Sequence, residues 1–194
     1  VSKNMKLAVV CLGFIGSTHL KAYRNIPEVE LFAVSSDDPV KLTGDLSEIK
    51  GNLGGSGEKH DFSNVRKYAD YHEVCADPEV EAVDLCLPTD LHAPAAIAAV
   101  TAGKHVLVEK PLSNDVTEAR SMVALAAKKS VYLGCNLNHY FTPPAEKARE
   151  YMDQGKIGEL VYCLHKMGFS AGEETYNAPT SSRFKGFPYA HLKA

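Results

Sequence analysis

Five short apolar runs constrain this chain more than any other feature: Leu7 to Leu12, Leu31 to Val34, Ala82 to Leu87, His105 to Val108 and Val131 to Leu133. They are nearly continuous instead of alternating, the pattern of strands covered on both faces, as in a parallel sheet. Helical patterns fall between them. Gly16 to Arg24 sets Leu20 and Tyr23 on one face, while the alanine-rich stretch Pro94 to Ala102 follows the cap candidates Thr89 and Asp90. It stops at Gly103, which suits a left-handed residue past a helix end. Asp115 to Lys129 opens with Asp115-x-x-Glu118, where each side chain can reach a free amide of the helix start, and Ala119, Met122, Val123 and Ala126 form its apolar stripe. Strand alternating with helix predicts βαβ units and an open parallel sheet, hence an α/β fold.

Two stretches break the rhythm. Lys50 to Asn64, with Gly51, Gly54, Gly55 and Gly57 among polar residues, has no period and reads as a surface loop in the second crossover. Past Leu133 the pattern changes: Thr142-Pro143 is a helix start, Gly155 a stop, and Leu160 to Met167 a candidate strand of a different sheet. Gly168 to Ala194 is aperiodic, so it either covers a site or lacks its packing partners.

Composition narrows the function. Apolar residues make up 45% of the 194 and charged ones 23%, enough apolar surface for a folded core. The 21 Lys and Arg against 24 Asp and Glu give a net charge of −3, which leaves no basic footprint for nucleic acid or an anionic membrane. No apolar run approaches the ~20 residues that span a bilayer, and the first residues run straight into a strand without an export signal. The five cysteines are odd in number and lack C-x-x-C spacing, so they read as reduced thiols of a cytoplasmic protein.

The chemistry starts at Cys11-Leu12-Gly13-Phe14-Ile15-Gly16, between the first strand and a helix. A dinucleotide fold needs glycine in this turn because the backbone must approach a pyrophosphate held at the helix start. Cys11 replaces the first glycine of G-x-G-x-x-G; Gly13 and Gly16 remain. The second strand ends at Ser36-Asp37-Asp38, about 20 residues past Gly16, where a ribose-binding acid is expected. Ser36 at the acid's position would remove the repulsion of a 2′-phosphate, whereas Asp37 or Asp38 could bind the ribose hydroxyls, or simply cap a helix at Pro39, so NAD and NADP both stay open.

Two further strings carry a family resemblance. Pro88-Thr89-Asp90-Leu91-His92 and Ala102-Gly103-Lys104-His105-Val106-Leu107-Val108-Glu109-Lys110-Pro111-Leu112 resemble the Gfo/Idh/MocA oxidoreductases, as do Asn138 to Pro143 and Gly155 to Glu159. The resemblance runs from about Lys6 to Met167, with Tyr140 standing where many members have arginine. It implies a Rossmann-type doubly wound parallel sheet binding NAD or NADP over residues 1–130. Over 131–194 it implies the start of an incomplete α/β substrate domain, with the division falling near 112 to 140. It also implies that Gly13, Phe14, Ile15 and Gly16 line the pyrophosphate, Ser36 and Asp37 the adenosine ribose, and Pro88, Thr89 and His92 the middle of the cofactor. Glu109 and Lys110 would approach the nicotinamide, with Pro111 fixing the bend after their strand.

These positions lie at the carboxyl ends of the strands, where open α/β sheets bind ligands. A lysine leaving a buried strand is partly desolvated and can donate to a substrate oxygen whose charge changes during hydride transfer, which makes Lys110 the catalytic candidate. The eight histidines show no metal-binding spacing, so no metal is expected; His19 and His139 read as structural.

The family's later motif, an aspartate and a histidine that bind and deprotonate substrate, has no counterpart here, and His191 reads as incidental. A single strand of a second sheet cannot satisfy its own backbone, so the chain is expected to be an amino-terminal portion of a longer oxidoreductase. The expected activity is hydride transfer between a nicotinamide cofactor and a carbinol or carbonyl of a sugar, cyclic polyol or related small molecule. Family resemblance implies a homo-oligomer once the second domain is complete. The rival reading is a non-catalytic dinucleotide-binding sensor or scaffold.

Overall fold

The computed structural model describes residues 4–50 and 57–164. Its chain order is β1 (Met5–Val10), α1 (Phe14–Tyr23), β2 (Val29–Ser35), β3 (Arg66–Tyr68), α2 (Tyr71–Ala76), β4 (Ala82–Leu85), α3 (His92–Thr101), β5 (His105–Glu109), α4 (Val116–Lys129), β6 (Leu133–Asn136) and α5 (Pro143–Asp153). All six strands pair in parallel in the order β3-β2-β1-β4-β5-β6, the doubly wound arrangement. The strand order reverses between β1 and β4, so their carboxyl ends flank the crevice where such sheets take ligands.

Both faces of the sheet are packed, which explains the continuous apolar runs. Ala8, Val10, Val83, Leu85, Val106 and Val108 meet α2, α3 and α4 on one side. Leu7, Val9, Val34 and Ala82 meet Leu20 of α1, with Leu46 and Phe62, on the other. Phe62 is 2% exposed, so the stretch read as a surface loop has an aromatic anchor in the core. Strand β3 was not visible as an apolar run because Arg66-Lys67-Tyr68 is a polar edge strand. Arg66 there bridges Asp77 and Glu79.

Helix ends follow their local chemistry. Asp115 caps α4 by accepting the Glu118 N–H at 2.9 Å. The reciprocal half is relayed: Glu118 accepts from the Ser113 hydroxyl, which in turn accepts the Asp115 N–H. Met122 and Ala126 of the α4 stripe are buried, whereas Val123 is 56% exposed. Gly103 takes the left-handed conformation expected of it (φ 78°). The adjoining Lys104 is buried, its ammonium donating to the carbonyls of Asp77 and Val80 at 2.6 and 2.7 Å, so the lysine of the G-K-H string joins β5 to the turn before β4.

The chain divides into two compact units, Val1–Asn136 and Leu137–Ala194. Strand β6 extends the first unit's sheet, so residues 133–136 lie with it and not with the region beginning at 131. In the second unit α5 starts at Pro143 and Gly155 is left-handed behind it, while Arg149 stacks on the Tyr140 ring and donates to its carbonyl. The strand expected from Leu160 to Met167 is not formed in its described part, 160–164, where no neighbouring strand pairs with it; the rest, with the aperiodic tail and His191, lies outside the described residues. Among the described residues no helix is long and apolar enough to cross a membrane.

Candidate active site

The turn between β1 and α1 is built on two backbone demands. Cys11 has φ of 75°, the left-handed conformation that the missing glycine would adopt freely, at a cost of about 1–2 kcal/mol for a side-chain-bearing residue. Gly16 is buried so tightly that a Cβ there would lie 2.1 Å from the Cys11 carbonyl oxygen. Gly13, at the N-cap, would carry a Cβ with only Cys11 Sγ near it, at 3.9 Å. No side chain caps α1, so its first amides and the positive end of its dipole face the crevice, an anion site by construction. This turn therefore fits a dinucleotide pyrophosphate, with half-buried Phe14 and Ile15 beside it.

The other candidates sit at neighbouring strand ends. Ser36 is buried and its Oγ accepts the Asp38 N–H at 3.1 Å. Asp38 in turn accepts the Val40 N–H, so it caps the following turn. Asp37 is exposed and has no hydrogen bond or ion pair among the described residues. After β4, exposed Pro88 and half-buried Thr89 begin a 3-10 turn. His92 departs from its expected role. It is 1% exposed, and its two ring nitrogens lie 2.7 Å from the Pro111 carbonyl and 2.8 Å from the Leu87 carbonyl. The ring clamps the turns after β4 and β5 together and has no polar atom left for a cofactor. Lys110 is exposed where it leaves β5, so burial by its own strand does not supply the desolvation expected of it. The bond from Lys110 to Pro111 is cis.

Beside Lys110 the fold assembles a polar cluster that local sequence did not signal. His19, three residues past Gly16, places Nδ1 2.7 Å from Asp84 Oδ2 and Nε2 3.3 Å from Glu109 Oε1. Asp84 Oδ2 also accepts from the Tyr23 hydroxyl at 2.9 Å; its Oδ1 is buried without a hydrogen-bond partner among the described residues. Asn136 Nδ2 donates to Glu109 Oε1, and Glu109 Oε2 accepts the Lys110 N–H at 3.1 Å. Strand alternation puts Asp84, Glu109 and Asn136 on the α1 face of the sheet. Asp84 was the missed signal: a carboxylate in the middle of a buried apolar run needs a partner, and His19 provides it.

Burial opposes charge on His19, but the hydrogen bonds and charges of Asp84 and Glu109 outweigh it and push the imidazole up to about 9. Burial likewise opposes the charge on Glu109, which His19 and Asn136 nevertheless hold below the usual carboxylate range. Burial, reinforced by Asp84, raises both the Tyr23 phenol and the Cys86 thiol. His19, Asp84 and Cys86 present ligand atoms within 4.8 Å of one another. Hydrogen bonding already accounts for that proximity: Asp84 and Cys86 both lie against Nδ1 of His19.

A stability prediction follows from His19. Its proton is held more tightly in the folded chain (about 9) than in the unfolded one (6.5), so the stabilisation is complete below pH 6.5 and lost as pH rises through 9. The full effect is about 3 kcal/mol. Urea unfolding of wild type and His19→Gln across this range measures it: the gap between the two should close toward alkaline pH, and a constant gap would assign the loss to other groups.

A cavity of about 550 Å³ lies at the opposite, amino end of the sheet, lined by Met5, Val80, Lys104 and His105 among others, and holds none of these candidates. The glycine turn, the uncapped helix and the acid-rich strand ends instead converge at the switch point. Fold and turn together define a Rossmann-type dinucleotide-binding domain.

The chain belongs to the Gfo/Idh/MocA family, an oxidoreductase family with an NAD-binding Rossmann fold, whose profile matches residues 5–137. It is 32% identical over 155 residues to the myo-inositol 2-dehydrogenase of Thermotoga maritima, covering 80% of this chain and 42% of that protein. It is 29% identical over 185 residues to the levoglucosan dehydrogenase of Pseudarthrobacter phenanthrenivorans, covering 94% and 45%. The crystal structure of an NAD binding oxidoreductase from Klebsiella pneumoniae matches with a TM-score of 0.68 at 29% identity, over 81% of this chain and 41% of that one. The chain thus spans less than half the length of these relatives.

Proposed function

We propose that this chain is the cofactor-binding portion of an NAD(P)-dependent dehydrogenase that oxidises a carbinol, or reduces the corresponding carbonyl, of a sugar or cyclic polyol. The observation that carries the reading is the uncapped start of α1 behind Gly13 and Gly16, facing the switch point beside Glu109 and Lys110. Relatives named as sugar and inositol dehydrogenases support the substrate class and favour catalysis over a sensor or scaffold role.

The chain's own residues divide the work. The amides of Phe14, Ile15 and Gly16 hold the pyrophosphate, and Asp37 takes the adenosine ribose hydroxyls. Pro88 and Thr89 lie along the middle of the cofactor. Its nicotinamide, when bound, supplies the hydride acceptor or donor. Lys110 donates a hydrogen bond to the substrate oxygen, stabilising the charge that develops there, and the second domain and the substrate supply the desolvation that the exposed lysine lacks by itself. A buried Ser36 with a free, exposed Asp37 favours NAD, because an unpaired carboxylate at the ribose repels a 2′-phosphate.

The test is thermal stabilisation. A ligand that binds only the folded state stabilises it by about 2.7 kcal/mol at a hundredfold excess over Kd, so NAD should raise Tm by several degrees and more than NADP does. No shift with either dinucleotide would end this reading.

A further inference from the structure

We infer that His19 is a positioning residue for the nicotinamide end of the site: by binding Glu109 it ties the carboxyl end of β5, and with it Lys110, to the helix that begins at the glycine turn. This rests on the hydride-transfer reading above. Helix α1 leads from Gly16 to His19 in one turn. Nε2 of His19 then lies 3.3 Å from Glu109 Oε1, and the other carboxylate oxygen of Glu109 receives the Lys110 N–H at 3.1 Å. Asp84 grips Nδ1 from β4 at 2.7 Å, and Asn136 braces Glu109 from β6. The ring that follows the pyrophosphate turn is thereby fastened to three successive strands on the nicotinamide side of the crevice.

Two features argue that this is more than a support for the fold. A buried ion pair is weak evidence for stability, since apolar packing in its place is often at least as stable. This one lies at the carboxyl ends of the strands, with His19 and Glu109 side chains still 13% and 11% exposed. Moreover what the ring binds depends on its proton. When protonated, Nε2 donates toward Glu109; when neutral, it accepts from Asn136 Nδ2 at 3.0 Å and its hold on the carboxylate is lost. The groups facing the ring are Tyr23 on its own helix, Asp84 and Cys86 at β4, Glu109 on β5 and the uncharged Asn136 on β6. Tyr23 and Cys86 are both raised, so His19 is the member of the cluster that exchanges its proton in mildly alkaline solution.

The experiment compares NAD with ADP-ribose, which lacks only the nicotinamide, by calorimetric titration of the full-length protein. His19→Gln should weaken NAD about tenfold, the loss of one charge-assisted hydrogen bond's worth of alignment, and leave ADP-ribose within about twofold. In the wild type the preference for NAD over ADP-ribose should fall between about pH 8 and about pH 10, and in His19→Gln it should stay flat. Equal weakening of both ligands, weakening of neither, or a wild-type preference that ignores pH would each overturn the inference. If the variant does not fold, the wild-type pH series decides. A wild type that binds neither dinucleotide overturns the functional reading and the inference with it, a result distinct from normal NAD binding without pH dependence.

Discussion

Replacing Gly16 with alanine is expected to weaken dinucleotide binding by about 10²-fold. The added Cβ would sit 2.1 Å from the Cys11 carbonyl oxygen, a backbone atom that no rotamer change can move. Either α1 slides outward or the turn opens. The destabilisation should reach the top of the ~1–3 kcal/mol range for overpacking. Displacing the helix start by about 1 Å costs on the order of 10²-fold in a positioned interaction. Gly13→Ala separates the two effects. Its φ of −83° suits any residue and its Cβ would have only Cys11 Sγ nearby, so folding should be little changed while pyrophosphate approach is blocked. Equilibrium unfolding and NAD titration of both variants read this out. Gly16→Ala with wild-type affinity would show that the turn holds no phosphate.

The second large effect concerns Lys110. In the full-length protein Lys110→Ala should lower turnover by about 10²–10⁴-fold, the usual contribution of a positioned acid–base group. Affinity for NAD should change only a few-fold, because the pyrophosphate and ribose contacts lie on other elements. Stability should hardly move, since Lys110 is exposed and donates no side-chain hydrogen bond to the described residues. Absorbance at the nicotinamide band with an inositol or anhydrosugar substrate measures the first quantity and calorimetry the second. Undiminished turnover would remove Lys110 from the chemistry.

Much of this architecture was legible from local pattern. The apolar runs marked β1, β2, β4 and β5, since both sheet faces are packed there and each run had to be apolar throughout, whereas the run Val131 to Leu133 meets β6 only at Leu133, with Tyr132 81% exposed. Asp115 and Gly103 announced helix ends by chemistry that depends on a few residues either side. Edge strand β3 was silent because its pairing rests on one neighbour, β2, and its side chains are polar. The family resemblance implied a cofactor contact for His92, whereas both its ring nitrogens face carbonyls brought together by the turns after β4 and β5, which no local pattern shows.

The glycine turn pointed to a dinucleotide site through residues adjacent in the chain, and the Glu109-Lys110-Pro111 string did so through its family resemblance. The cluster that connects them is different. His19 and Asp84 are separated by 65 positions and His19 and Asn136 by 117, and no periodicity links them. They meet because β4 lies next to β1 and next to β5, with β6 beyond, which directs three side chains from separate strands to one side of the sheet under α1. Burial there strengthens each charge's demand for a partner, so it is strand order that sets an ordinary helical histidine between the glycine turn and the Glu109 end of β5.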